Sequence, residues 1–220
     1  MRMLRIVAVP LAAFPLLALS PPASLRAVGT ARAADALEAA VAGDDLEAIK
    51  AMGPAVIPHL AGLYTASDEG RRLRIATLFY RLGWKSEEAK DALLADAHTT
   101  SESLRVSVQY ALGRVSDDLE VVDVLLDNMQ HDGKYLFRDK AACALAYDQI
   151  HLRPPQKVHL FEGLIRAMSD PKPDVRRIAA LALQIQTGQD KGFRADDPPE
   201  LRGPALGAWR KWLDEYRSQL

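Results

Sequence analysis

The stretch Asp170-Pro171-Lys172-Pro173-Asp174-Val175-Arg176-Arg177-Ile178-Ala179-Ala180-Leu181-Ala182-Leu183 decides the fold of this chain. From Asp174 onward its apolar residues recur at the spacing of one helix face. Its alanines are small enough to let a neighbouring helix approach closely, and Leu183 then fills the space beside them. The stretch therefore predicts a helix that packs against other helices.

The same pattern recurs upstream, as an apolar residue, an arginine, several helical residues and then Ala-Leu. One copy spans Leu104–Leu112, a second spans Phe137–Leu145, and a more degenerate copy spans Leu73–Leu82. The arginines of the three clear copies lie 33 and 38 residues apart. These spacings are typical of repeated helical hairpins.

The residues between these copies also show helical periodicity, broken by short Gly, Pro and Asp punctuation, and no segment alternates with the period of a strand. The predicted helices are 45–52, 54–64, 68–82, 86–98, 102–114, 117–129, 134–149, 155–168, 174–187 and 203–219. We expect Pro58 to kink the second of these helices or to tighten its first turn.

The stretch at 170–183 resembles the second helix of a HEAT repeat, with its Asp-x-x-Val-Arg-x-x-Ala-Ala start. The segment Gly53–Leu60 is similar to the first helix of bacterial HEAT repeats, and the resemblance covers roughly residues 45–187. The Trp-Arg-Lys-Trp sequence at 209–212 resembles the Trp-rich helix that ends many exported bacterial HEAT proteins. The resemblance implies an all-α, α–α superhelix of about four to five helical hairpins.

These patterns divide the chain into five parts. We expect a signal peptide at 1–33 and N-terminal capping helices at 34–52. HEAT-like repeats follow at 53–187, then a loop at 188–202 and a C-terminal capping helix at 203–220. In the C-terminal parts, Phe193 is expected in the core, and Trp209 and Trp212 are expected to cover the last repeat.

The first 33 residues have the order of a secretory signal. Arg2 and Arg5 are followed by the apolar run 6–19 and by small residues that end at Ala33. This pattern predicts cleavage between Ala33 and Ala34 and a periplasmic or secreted protein. The alternative is that residues 6–19 are retained and anchor the chain to the inner membrane, which is the only membrane contact we expect.

The charge of the processed chain argues against nucleic-acid binding. All 29 acidic residues follow Ala33, whereas four of the 28 basic residues lie before it. The processed chain therefore has 24 basic residues against 29 acidic ones. A domain that holds nucleic acid by its phosphates normally carries a basic excess. We therefore expect no nucleic-acid partner.

The recurring arginine is interpreted as structural. Arg105, Arg138 and Arg176 stand at the repeated position, and Asp174 and Val175 directly precede the last of them. Such an arginine bonds carbonyls or carboxylates of an adjacent repeat more readily than it serves as a catalytic or ligand-binding cation.

The sequence contains no motif that predicts a catalytic, metal or cofactor site. Its histidines are His59, His98, His131, His151 and His159, and none has the spacing of a metal-binding pair. Cys143 is the only cysteine, so no internal disulfide forms, and its apolar surroundings predict burial.

Two classes of function follow. The first is a non-enzymatic scaffold that binds an unidentified protein, since stacked helical pairs offer extended surfaces. The second is a HEAT-like lyase acting on a bound small molecule, which requires a pocket where acidic and aromatic groups converge. A structural component of an envelope assembly is a third, weaker alternative.

Overall fold

The structure is a computed structural model that describes the backbone from Ala23 onward and side chains from Arg32 onward. Arg2, Arg5 and the apolar run 6–19 of the predicted signal lie outside the described residues. About 75% of the described residues are helical, and none of them lies in a strand. The all-α prediction is confirmed.

Eleven α-helices and one short 3₁₀ turn form the described part of the chain. They are α1 (Ala23–Ala42), α2 (Leu46–Met52), α3 (Ile57–Thr65), α4 (Glu69–Leu82), α5 (Glu87–Leu94), α6 (Glu102–Val115), α7 (Leu119–His131), α8 (Tyr135–Tyr147), α9 (Pro154–Ala167), α10 (Pro173–Thr187) and α11 (Pro199–Ser218). The 3₁₀ turn at Pro54–Val56 leads directly into α3, so the tightened first turn expected beside Pro58 is present.

Local signals in the sequence set several helix ends. Asp68 and Ser86 begin α4 and α5 by accepting hydrogen bonds from the backbone N–H groups three residues on, at 2.8 and 3.2 Å. Such caps satisfy donors that a helix start leaves without partners. Gly83 and Gly188 end α4 and α10 in the left-handed conformation, with φ of 61° and 67°, which only glycine adopts without strain.

The helices stack as hairpins in two layers. The first-helix layer contains α3, α5, α7 and α9, and the second-helix layer contains α4, α6, α8 and α10. The hairpin α1–α2 precedes them, with α2 against α4. We call the side with the loops inside the hairpins the turn edge, and the side with the connections between hairpins the link edge. This arrangement is an α–α superhelix.

Small side chains fill the contacts within the second-helix layer. Ala141, Ala144 and Ala179 are completely buried, as is Leu145 beside them. Alanines let helix axes approach to the short end of the usual 8–10 Å range, and leucines fill the gaps between them. The packing inferred from the repeated Ala-Leu pattern is therefore present.

The C-terminal segment turns back to cover the last hairpin. The stretch 188–198 leaves α10 at the link edge and returns to the turn edge, with Phe193 buried on the way. α11 then begins at Pro199 rather than at Gly203 and packs against α9. Trp209 is fully buried there, and the ring of Trp212 lies 5.3 Å from that of Phe161.

At the other end, α1 runs through the predicted cleavage position between Ala33 and Ala34. Among the described side chains of α1, the first buried one is Leu37, and Val41 is also buried. Both follow Ala34, so cleavage there keeps these core residues. From Ala23 onward, no helix combines the length and the apolar character that crossing a membrane requires.

The contact of α7 with α9 depends on a missing side chain. A Cβ atom built on Gly163 lies 2.2 Å from a methyl carbon of Leu126, which is an impossible approach. We predict that Gly163→Ala lowers the free energy of unfolding by about 1–3 kcal/mol, although alanine is the better helix former by about 1 kcal/mol. Urea unfolding followed by circular dichroism measures this.

The control is Gly207→Ala in α11, where nothing lies within 4 Å of the added Cβ. This variant is expected to be neutral or up to about 1 kcal/mol more stable. Combining Gly163→Ala with Leu126→Ala should cost less than the sum of the two single changes. Strict additivity would contradict the proposed overlap.

Candidate functional site

The recurring arginines lie in a row along the turn edge, each near the start of a second-layer helix. The guanidinium of Arg105 reaches Asp132 and also donates to the side-chain oxygen of Asn128 at 3.2 Å. Arg138 reaches Asp174 in the first turn of α10. Each arginine therefore contacts the following hairpin. The side chains of Arg105 and Arg138 are only 8% and 11% exposed.

The same arginines also hold the loop of their own hairpin. Arg138 donates to the carbonyl oxygen of Asp132 at 2.8 Å. Arg176 donates to the carbonyl oxygens of Asp170 and Pro171 at 2.8 and 2.9 Å. A planar guanidinium presents five N–H donors, so one side chain can bond two loops at once. These residues tie repeats together.

Arg176 belongs to the last hairpin, which has no following hairpin to supply a carboxylate. Its Nε instead donates to the carbonyl oxygen of Ala195 at 2.8 Å. The returning segment 188–198 thus occupies the place of the next hairpin loop, and an exposed ion pair between Arg177 and Asp196 at 2.9 Å lies beside it. Val175, next to Arg176, is completely buried in the core.

In the degenerate copy at Leu73–Leu82 the sequence pattern puts Arg74 at the position of the recurring arginine, and this assignment is wrong. Arg72 makes the contact, donating to both carboxylate oxygens of Asp96 at 3.0 and 2.8 Å. Tyr64 also donates to Asp96, at 2.6 Å. The Ala-Leu register had shifted in this copy, but the 33-residue spacing from Arg72 to Arg105 identifies the correct residue.

The link edge carries a second set of ties. The buried ammonium of Lys90 in α5 bonds Asp118, the capping residue of α7, at 2.9 Å. Nε2 of His151 lies 3.0 Å from the carbonyl oxygen of Gly83 and 2.9 Å from that of Arg114. His151 therefore joins the ends of α4 and α6 to the loop that follows α8, which is a structural role.

Asp148 is the described carboxyl with the most unusual environment on this edge. Its side chain is 5% exposed, and burial raises its pKa to about 6, although the Arg114 guanidinium at 3.6 Å acts in the opposite direction. The Arg114 guanidinium carbon also lies 4.7 Å above the ring of Tyr80. At this distance, the attraction between the two charges does not compensate fully for the hydration that the buried carboxylate loses.

The outer face of the second-helix layer collects exposed apolar side chains. Eight large hydrophobic residues are exposed in the part of the chain with described side chains, and three of them, Leu136, Tyr147 and Leu181, lie on α8 and α10. Ile150, just beyond α8, is also exposed but lies against Gly83 at the end of α4. A fifth, Tyr135, opens α8. Clustered exposed apolar residues mark interaction surfaces more often than single ones do.

Between α8 and α10 this face forms a groove of about 90 Å³. The groove is lined by Asp139, Ala142, Cys143, Ala146, Tyr147, Ile178, Leu181, Ala182 and Ile185. The alanines leave it open, and Tyr147 and Leu181 form exposed walls, at 63% and 54% exposure. We call it the α8–α10 groove.

Cys143 lies in this groove and is half-buried, so the prediction of a buried cysteine is wrong. Near Cys143, the sequence of α8 has apolar residues on every side of the helix, so the pattern alone does not show which side faces outward. Burial raises the pKa of the Cys143 thiol, and the negative charge of nearby Asp139 acts in the same direction. The thiol is therefore weakly nucleophilic at neutral pH.

Closer to the N-terminus, Thr77, Tyr80, Ser107 and Tyr110 line a shallow depression of about 130 Å³ on the same face. A larger depression of about 270 Å³ lies between α1 and the start of α3, and its lining residues include no acid. Small-molecule sites usually enclose roughly 300–1,000 Å³. Two larger, open depressions of about 360 and 390 Å³ do contain acids, Glu88 and Asp91 in the first and Glu162 in the second, but no aromatic residue lines either of them. None of these five depressions combines the size with the converging acidic and aromatic groups that a lyase pocket requires.

Within the described part of the chain, no three His, Cys, Asp or Glu side chains converge as a metal-binding group. Comparison of the sequence and structure with protein-family models, with curated proteins and with solved structures finds no match. The assignment of a function therefore depends on the geometry of the second-helix layer and on the sequence patterns.

The arginine row predicts different effects for two neighbouring residues of α4. We predict that Arg72→Met lowers the free energy of unfolding by about 1–3 kcal/mol, because Asp96 loses its partly buried partner. Arg74→Met should change it by less than about 0.5 kcal/mol, because Arg74 is exposed. Urea unfolding of both variants measures the difference, and equal losses would contradict the assigned register.

Asp148 predicts a pH-dependent stability difference. Its folded-state pKa of about 6 lies above the usual value, so the folded state binds its proton more tightly and stability falls as pH rises through that range. Asp148→Asn should therefore be more stable than the wild type at pH 7.5, by on the order of 1 kcal/mol. The difference should be clearly smaller at pH 5 and should approach zero only below the unfolded-state pKa of about 4.

Measuring urea unfolding of both proteins at several pH values gives this difference directly. The other titrating groups are the same in both proteins, so their contributions to the pH dependence cancel in the difference. A difference that stays constant from pH 5 to 7.5 would show that burial does not raise the pKa of Asp148.

Proposed function

We propose that this chain is an exported, HEAT-like, non-enzymatic scaffold that binds another protein on the outer face of its second-helix layer. The observation that carries the proposal is the α8–α10 groove, which is lined mostly by apolar side chains and whose exposed walls are Tyr147 and Leu181. Stacked hairpins present such faces without needing a catalytic constellation. The HEAT resemblance at 170–183 supports the same class of protein.

Several features favour docking over a lyase activity. The grooves on this face are shallow, and buried charged groups at the two edges of the stack, such as Lys90 and Arg105, are occupied by ties between repeats. Cys143 has a raised thiol pKa. Shallow apolar grooves with an exposed aromatic wall suit docking of a protein partner, because aromatic residues such as tyrosine are enriched at the centre of interfaces.

Export is the part of the proposal that rests on the N-terminal sequence. The basic start, the apolar run 6–19 and the small residues before Ala34 support secretion to the periplasm or the cell exterior. The core residues of α1 that follow Ala34 support a processed chain that keeps its first hairpin.

The test is affinity capture from a bacterial envelope extract. The protein is expressed from its full-length gene with a C-terminal tag and recovered from the periplasmic fraction. Its N-terminus is read by mass spectrometry and expected at Ala34. We predict that the wild type retains a defined partner and that the double variant Tyr147→Ser with Leu181→Ser loses it by tenfold or more, on the order of 2 kcal/mol.

The matched control is Leu119→Ser, which removes an exposed leucine from α7 in the first-helix layer. This variant should retain the partner. Because all three residues are exposed, the variants are expected to unfold at the wild-type urea concentration, which the same preparations verify. Equal capture by the wild type and the double variant would exclude this face as the docking surface.

A further inference from the structure

The outer face of the second-helix layer changes in chemistry from one end of the stack to the other. The arginine row gives the helices a common register, so equivalent outward positions can be compared. We call Arg72, Arg105, Arg138 and Arg176 the tie arginines. The residues nine positions after them are Arg81 on α4, Arg114 on α6, Tyr147 on α8 and Ile185 on α10. The face is thus basic at the N-terminal hairpins and apolar at the C-terminal ones.

A second outward position carries no charge but also becomes apolar toward the C-terminal end. Five residues after the tie arginines stand Thr77 on α4, Tyr110 on α6, Cys143 on α8 and Leu181 on α10, and Leu181 is 54% exposed. Arg74, three residues before Thr77, is exposed and makes no ion pair with any described residue. The change from a basic to an apolar face therefore does not depend on one residue.

The cations of the basic end are only partly neutralised. Arg81 pairs with Asp44 at 3.1 Å, and both side chains are largely exposed to water. Arg114 lies 3.6 Å from Asp148, whose carboxyl is buried beneath it. The exposed Arg81–Asp44 pair is weak, so an incoming carboxylate can compete for Arg81. Arg114 is 30% exposed and lies farther from Asp148 than a hydrogen bond allows, so its guanidinium can also donate to an incoming carboxylate. At the apolar end, Lys140 is already paired with Asp139 at 2.9 Å.

We propose that the partner docks as a protein segment with acidic residues at one end and bulky apolar residues at the other. Its carboxylates lie over α4 and α6 beside Arg74, Arg81 and Arg114. Its apolar side chains enter the α8–α10 groove between Tyr147 and Leu181. Complementary charge fixes the direction of the segment, while the buried apolar anchor supplies most of the affinity. This inference rests on the proposed docking function.

The test uses a phage-displayed library of random 16-residue peptides selected against the full chain, immobilised by its C-terminal tag. Enriched peptides are synthesised with fluorescein, and their affinities are measured by fluorescence anisotropy. We expect enriched sequences to place Asp or Glu on one side of Leu, Phe or Trp. Sequences rich in Lys or Arg, or the absence of any enriched peptide, would overturn the inference.

Two pairs of variants separate the two ends of the segment. Arg74→Glu should weaken binding about two- to fivefold, and less at 0.5 M salt, because exposed charges are screened. Its matched control is Arg166→Glu on the exposed surface of α9. Leu181→Ser should weaken binding about tenfold or more, and its control is Leu119→Ser. Both controls should change affinity less than twofold.

Charge exchange gives the sharpest result. A selected peptide whose acids are replaced by lysine should bind Arg74→Glu more tightly than it binds the wild type. One contrary result is that peptide binding depends on Leu181 but does not change, with either the wild type or Arg74→Glu, when lysine replaces the acids of the peptide. This result would overturn the acidic part of the proposed segment and leave the docking face intact. Peptides indifferent to both Leu181 and Tyr147 would instead remove the docking face itself.

A second copy of the chain is the remaining occupant of the groove. Sedimentation velocity of the wild type is expected to show a monomer. A dimer that Leu181→Ser dissociates and that the selected peptides displace would assign the groove to self-association and overturn the inference.

Discussion

Each hairpin of this protein has apolar surface on both sides, and no hairpin can bury it alone. The second helices solve this by packing directly on one another through alanines such as Ala141, Ala144 and Ala179. Close approach fixes the distance between hairpins but not their register along the helix axes. The arginine row supplies the register, because Arg105 and Arg138 each bond a carbonyl oxygen in the loop of their own hairpin and the carboxylate of the next one.

The same constraint determines how the stack ends. After the last hairpin, Arg176 has no carboxylate from a further repeat, and a buried guanidinium without an acceptor is costly. The carbonyl oxygen of Ala195 takes that role because segment 188–198 returns to the turn edge. α11 then covers the apolar side of α9 with Trp209 and Trp212. The irregular segment is thus part of the repeat architecture and not a simple tether.

The outward face is free to vary because the ties lie at the two edges and the alanines lie between the helices. Ionic groups at the link edge, including Lys90 and Asp118, are likewise used inside the stack. This leaves the middle of the second-helix layer as the surface where sequence can change without loss of packing. Its basic and apolar ends are therefore interpreted as features of recognition.

Sequence periodicity determined the helical class, most helix positions and the equivalence of Arg105, Arg138 and Arg176, because helix faces and repeat spacing are local properties. The placement of Arg72 instead of Arg74 depended on tertiary contacts, since a register shift within one helix changes which side chain reaches Asp96. The exposure of Cys143 also depended on tertiary contacts, because the sequence of α8 has apolar residues on every side of the helix near it. Only the packing of α8 against α10 decided that this residue faces a groove, because burial depends on which neighbours cover a helix and not on its own sequence.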